Sequence, residues 1–133
     1  MSAVHSVMNL LLNNSKPQVI VLGLMYSDSY KLLMNFGRHS KREAKFVKLD
    51  NLESLHKVIN EKTAMIVTET ITNPLLEIPD LERVGQIASD YSVPFVVDNT
   101  VASPANCQPL DYDADYVIHS TNKYLSGTNN HAG

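Results

Sequence analysis

Cysteine is nearly absent from this chain: its 133 residues hold a single one, Cys107. One thiol cannot close an internal disulfide, which points to a reducing compartment. Cys107 itself reads either as a small, partly buried side chain or as a reactive thiol. Glycine is sparse where a dinucleotide fold would need it. Gly23 stands alone after the first apolar run, so the glycine-rich phosphate fingerprint is missing. No apolar run is long enough to span a bilayer. The first residues lack a basic region followed by an apolar stretch and a cleavage site, so no secretory signal is read there. A cytoplasmic location is expected. Net charge is small, formally -3, which gives no general attraction to nucleic acid or to an anionic membrane. The densest basic group, Lys41 and Arg42 with Lys45, is interrupted by Glu43 and reads as a solvated loop.

Metal-binding patterns are also missing. The histidines show no close ligand spacing. Asp111, Asp113 and Asp115 alternate like the start of a calcium loop. Tyr116 then stands where that loop needs glycine, and Asn122 where it needs glutamate. Neither repeats nor low-complexity tracts occur.

What is present is an alternation of helical and strand periods. Residues 2–13 read as a helix with Val4, Val7, Met8 and Leu11 on one face and Ser2 as a possible cap. Residues 19–24 form a β-branched apolar run, read as a buried strand. A second helix is expected over 27–36, ending near Gly37, and a strand over 44–49. Asp50 and Glu53 have the spacing of a capping box, opening a helix with Leu52, Leu55, Val58 and Ile59 inward. A strand is expected at 64–68. Asp80 then caps a helix with Leu81, Val84, Ile87 and Tyr91 inward. Strands at 94–97 and 115–119 complete the order. Apolar strands alternating with amphipathic helices predict an α/β fold, a mainly parallel sheet with flanking helices.

In such sheets ligands sit at the carboxyl ends of the strands. That rule selects residues 69–73, 98–100 and 120–123. Asp98 comes after Phe95, Val96 and Val97, so its carboxylate leaves a buried strand and needs a partner. It reads either as a cap or turn residue or as a ligand-binding group. Lys123 lies just past Val117, Ile118 and His119. From spacing alone it is an exposed loop lysine or a site lysine. His119, ending an apolar strand, reads as a structural hydrogen-bonder.

Three segments occur in order: Glu69-Thr70-Ile71-Thr72-Asn73-Pro74-Leu75-Leu76, then Val97-Asp98-Asn99-Thr100, then His119-Ser120-Thr121-Asn122-Lys123-Tyr124-Leu125-Ser126-Gly127. Together they resemble three consecutive motifs of the Cys/Met metabolism family of pyridoxal-phosphate enzymes. The resemblance covers nearly the whole chain, most closely from Glu69 onward. It implies the large domain of a fold-type I, aspartate aminotransferase-like enzyme with pyridoxal 5'-phosphate as cofactor. Its activity would be carbon–sulfur bond formation or cleavage on a sulfur-containing or O-activated amino acid.

The resemblance also implies residue roles. Lys123 would link covalently to the cofactor, a task that requires ready loss of its proton. Asp98 would pair with the pyridine nitrogen and keep it protonated. Asn73 would hydrogen-bond the ring oxygen. Tyr26 would stack on the ring and serve with Lys123 in catalysis; its alternative is a core tyrosine. Ser2, Ala3 and Val4 match a phosphate-binding helix start. Ser120 matches a phosphate-binding serine, with Asn122 beside the lysine.

Three departures from the family pattern stand out. Ala3 replaces a glycine and restricts close backbone approach. Ser27-Asp28 stands where two glycines are common and adds a negative charge. Asn122 replaces a threonine, and its amide still donates. The family's chain is much longer, so residues 1–133 are expected to form part of the large domain, without the N-terminal arm and the C-terminal domain. The implied full-length form is a homo-oligomer, a tetramer built from dimers, acting on a small amino acid. The competing reading is a truncated, non-catalytic remnant that keeps the fold without turnover.

Overall fold

The middle of the sheet is set by β-branched residues that have no polar face to expose. The structure, a computed structural model, describes residues 2–39, 42–128 and 130, without the side chains of Ser2 and residues 36–39. Five strands run β1 (Gln18–Leu22), β2 (Glu43–Val47), β3 (Thr63–Glu69), β4 (Phe95–Asp98) and β5 (Tyr116–Ile118). They form one sheet in the order β2-β1-β3-β4-β5. Every neighbouring pair is parallel. All residues of β1 and β3 are buried, as both faces of an inner parallel strand must be.

Alternate residues feed two cores. Val19 and Val21 of β1 and Met65 and Val67 of β3 pack on one face, with Val4, Met8 and Leu12 of helix α1 (Ser2–Leu11) and its C-terminal end, and Leu33 of α2 (Ser27–His39). Ile20, Leu22, Ile66, Phe95 and Val97 pack on the other, with Leu55 of α3 (Leu55–Val58) and Leu81, Val84 and Ile87 of α4 (Leu81–Asp90). The period-two split gives three layers, helices on both sides of one sheet. Each large aliphatic side chain so buried contributes about 1.5–3 kcal/mol of apolar transfer.

Four expectations are corrected. Helix α2 continues through Gly37 to His39. An interior glycine costs about 1 kcal/mol against alanine and need not stop a helix. The capping box at Asp50 does not form. Residues Leu49–Ser54 are a 3-10 turn broken at Asn51 (φ -136°, ψ 58°). Glu53 reaches out to Arg83 at 3.2 Å instead. Tyr91 does not face inward. It comes just after the last helical residue, is 42% exposed, and its hydroxyl lies 3.1 Å from His56 Nδ1. Ala88 and Gly85 take the buried positions there. Ser2 is the first helical residue rather than a cap outside the helix, and its side chain lies outside the described residues. The Asp80 cap forms as expected: the Arg83 N–H donates to Asp80 Oδ1 at 2.9 Å.

Two short turns between β4 and β5 carry no hydrophobic period and escape a reading by pattern: α5 (Ser103–Asn106) and a 3-10 turn, Pro109–Tyr112. Tyr112 packs its carbonyl against α4 at Gly85, where an added Cβ would lie 2.1 Å from that oxygen. Among the described residues no helix is long and apolar enough to cross a membrane.

Candidate active site

The strand order places the topological switch between β1 and β3: the chain leaves β1 toward β2 on one side and β3 toward β4 on the other. Past the carboxyl ends at such a switch the loops diverge and leave a crevice. A cleft of about 430 Å³ lies there, lined among others by Ala3, Val4, Tyr26, Asn73, Asp98, Ser120, Asn122 and Lys123. That volume is in the range of small-molecule and cofactor sites, about 300–1,000 Å³. Every expected site residue whose side chain is described therefore meets in one place.

Asp98 ends β4, and Thr100, two residues on, holds its side chain. Thr100 donates to Asp98 Oδ1 twice, from its N–H at 3.0 Å and its hydroxyl at 2.5 Å. The Thr100 hydroxyl oxygen in turn accepts the Ser120 N–H at 2.8 Å. A chain Asp98–Thr100–Ser120 thus ties β4 to the segment after β5. Among the described residues Asp98 Oδ2 has no hydrogen-bond partner, so one carboxylate oxygen is left to face a donor in the cleft. Sequence reasoning gathered Thr100 among residues 98–100 but gave it no role of its own. Its position two after Asp98 in a polar strand end was the available signal.

Lys123 sits in a tight turn, Thr121–Leu125, with φ -93° and ψ -131°. Its N–H donates to the Ser120 carbonyl at 3.2 Å, and its carbonyl accepts from Gly127 at 2.9 Å. The backbone is therefore pinned on both sides while the exposed ammonium makes no ion pair among the described residues. Ser120 Oγ donates to Asn122 Oδ1 at 2.6 Å. That hydroxyl proton is engaged, although its oxygen can still accept.

Tyr26 and Asn73 form the opposite rim. Tyr26 is 48% exposed, a rim residue rather than the core tyrosine that was its alternative. Asn73 is exposed, and its side-chain amide is free among the described residues. Both are held through their backbones by Glu69, which accepts the Tyr26 N–H at 2.8 Å and the Asn73 N–H at 2.9 Å. Burial pushes the Glu69 carboxyl up to about 7, with the Tyr26 N–H opposing and the Asp98 charge adding. Asp28, in the first turn of α2, also lines the cleft and pairs with Lys31 at 3.5 Å. Outside the cleft, Cys107 is half-buried, and burial with the nearby Asp111 raises its thiol above the ordinary value. Asp115 spends its carboxylate on the Phe95 N–H at 2.8 Å, a structural tie.

Among the described residues the donor set fits a flat, anionic aromatic cofactor: an unpaired carboxylate oxygen, a free amine, an aromatic face, an amide, and the start of α1. A doubly flanked parallel sheet with this cleft defines the class, the fold-type I pyridoxal-phosphate enzymes. The chain belongs to the Cys/Met metabolism PLP-dependent enzyme family, whose profile matches residues 1–133. It is 38% identical over 127 residues to a cystathionine gamma-lyase of Bacillus subtilis, covering 96% of this chain and 33% of that protein. It superposes on the metB protein of Corynebacterium glutamicum with a TM-score of 0.92 and 31% identity, over 99% of this chain and 34% of that one. A putative O-acetylhomoserine (thiol)-lyase of Campylobacter jejuni, solved with N'-pyridoxyl-lysine-5'-monophosphate, is also similar. It has a TM-score of 0.85 and 34% identity, over 98% of this chain and 32% of that one. The chain spans about a quarter to a third of the length of the curated relatives it matches.

Proposed function

We propose that this chain supplies the cofactor cleft of an enzyme that forms or breaks carbon–sulfur bonds in a sulfur-containing or O-activated amino acid. The observation that carries the reading is the meeting of Asp98 and Lys123. They leave the ends of neighbouring parallel strands into one cleft, one with a carboxylate oxygen and the other with an amine that are both unpaired among the described residues. Bound pyridoxal phosphate would supply an electron sink for negative charge at the substrate α-carbon.

The residues divide the work around that group. Lys123 would hold it covalently and is placed to carry a proton at Nζ. Asp98 Oδ2 would accept from the pyridine nitrogen and keep it protonated, while Thr100 fixes the carboxylate's rotation. Tyr26 would cover a ring face and exclude water from it. Asn73 would donate to the ring oxygen. Ala3 and Val4 at the start of α1 would receive the phosphate, joined by Ser120 once its hydroxyl turns away from Asn122 Oδ1; Ser2 belongs to the same helix start. A small amino acid as substrate, a homo-oligomeric full-length form and a cytoplasmic setting belong to the same reading. The names of the similar proteins support it.

The test is absorbance of the purified chain with added pyridoxal phosphate, before and after borohydride, with peptide mapping of the product. A pyridoxyl group on Lys123 is expected. Finding it on Lys62 or Lys45 instead, or no bound cofactor at all, overturns the reading in favour of a non-catalytic remnant.

A further inference from the structure

Glu69 differs from every other residue of the cleft. It ends β3, the central strand, and is only 4% exposed. Its register partner across β3 and β4 is Asp98, a second carboxylate. A buried anion beside another anion is costly unless hydrogen bonds offset it. Two do. Oε1 accepts the Tyr26 N–H and Oε2 accepts the Asn73 N–H, at 2.8 and 2.9 Å. The two donors lie on opposite sides of the switch crevice, one after β1 and one after β3. One carboxylate therefore spans the crevice.

The chemistry of the pair is specific. Two backbone N–H groups converge on one side chain, and both require an acceptor. A carboxylate offers two acceptor oxygens. An amide offers one oxygen and turns its NH2 toward the other N–H. Neither Tyr26 nor Asn73 has a side-chain tie to the sheet among the hydrogen bonds of the described residues, so this splint sets where the aromatic face and the amide stand.

We propose that Glu69 is a positioning residue. Its ionised carboxylate splints the Tyr26 and Asn73 backbones across the crevice, so that protonation of Glu69 slackens the rim that receives the cofactor ring. The proposal rests on the function proposed above only for the identity of the ring. The titratable groups that line the cleft with this carboxylate are Tyr26 from the turn before α2, Asp28 in its first turn, Asp98 from β4, and His119, Lys123 and Tyr124 beyond β5. The Glu69 carboxyl itself is raised to about 7 by burial, with the Tyr26 bond opposing, Asp98 raising and the Asn73 bond opposing.

The experiment tracks the amide resonances of Tyr26 and Asn73 in the chain from acid to alkaline pH, then repeats the titration in Glu69→Gln. Both amides are expected to move together through one midpoint near neutrality, and the variant is expected to lose that transition. In parallel, pyridoxal phosphate is titrated into both proteins. Glu69→Gln is expected to bind on the order of tenfold more weakly, the scale of one charge-assisted hydrogen bond. The induced circular dichroism of its bound cofactor should also fall, because the ring is less fixed. Wild-type amides that do not titrate, or a folded Glu69→Gln with wild-type affinity and dichroism, would overturn the proposal. If neither protein binds the cofactor, the functional reading fails while the amide titration still decides the splint. If Glu69→Gln does not fold, the wild-type titration and Glu69→Asp decide it. Glu69→Asp is one methylene too short to span both donors and should release one amide only.

Discussion

Glu69 and Asp98 are register partners on adjacent parallel strands, and they resolve their closeness in opposite ways. Glu69 turns both oxygens onto backbone N–H groups. Asp98 gives one oxygen to Thr100 and keeps the other for the cleft. Two chemically similar carboxylates, one strand apart, are therefore engaged differently: one bonds the backbones of the rim, and the other keeps one oxygen unpaired among the described residues.

Replacing Asp98 by Asn tests that division. The amide oxygen can still accept from Thr100, so the fold and part of the cofactor affinity should survive. The NH2 group then faces the pyridine nitrogen and cannot hold it protonated. Turnover by the full-length protein should fall by at least on the order of 100-fold, the scale on which loss of a preorganised electrostatic partner acts. Steady-state kinetics beside a cofactor-binding titration checks this. Unchanged turnover in a variant that binds cofactor would rule the role out.

Stability should depend on pH through Glu69. Its folded-state pKa is raised, from 4.5 to about 7. Between those values the folded chain binds a proton more tightly than the unfolded chain does. Stability from this group is therefore fully present below about 4.5 and is lost as pH rises through about 7. Glu43 is shifted the other way and acts only at more acid pH. Urea midpoints measured at intervals from about pH 5 to about pH 8 should fall with rising pH, and Glu69→Gln should flatten the slope.

A methyl group at Gly85 should be destabilising even though alanine is the better helix former. An added Cβ would lie 2.1 Å from the Tyr112 carbonyl oxygen, a backbone atom that cannot rotate away. Overpacking of this kind costs about 1–3 kcal/mol, against about 1 kcal/mol gained in helix propensity. A lower urea midpoint with unchanged slope is expected for Gly85→Ala. A rise in midpoint would show that the Pro109–Tyr112 turn yields easily.

Much of the frame was legible because the strands are short β-branched runs buried on both faces, and the polar residues just past them are the ones the sheet geometry gathers. Asp98, Asn73 and Lys123 were found that way, before any family entered. The illegible part depended on tertiary partners. Glu69 was gathered with residues 69–73 but given no role, since its two N–H donors lie 43 residues before it and 4 after it. Thr100 gained meaning only through Ser120, 20 residues on. Gly37 and Asp50 misled for a local reason. A glycine and an acidic residue at cap spacing are propensities, and packing of α2 on β1 and a kink at Asn51 overrode them.

The all-parallel order also sets a timetable. No neighbouring strands are joined by a hairpin, so each pairing waits for a crossover to close a long loop. During synthesis, β1 and β2 emerge first, and the Tyr26 N–H has no Glu69 to accept it. Its tether arrives only with β3, 43 residues later. The ribosome thus delivers the rim of the crevice before its anchor.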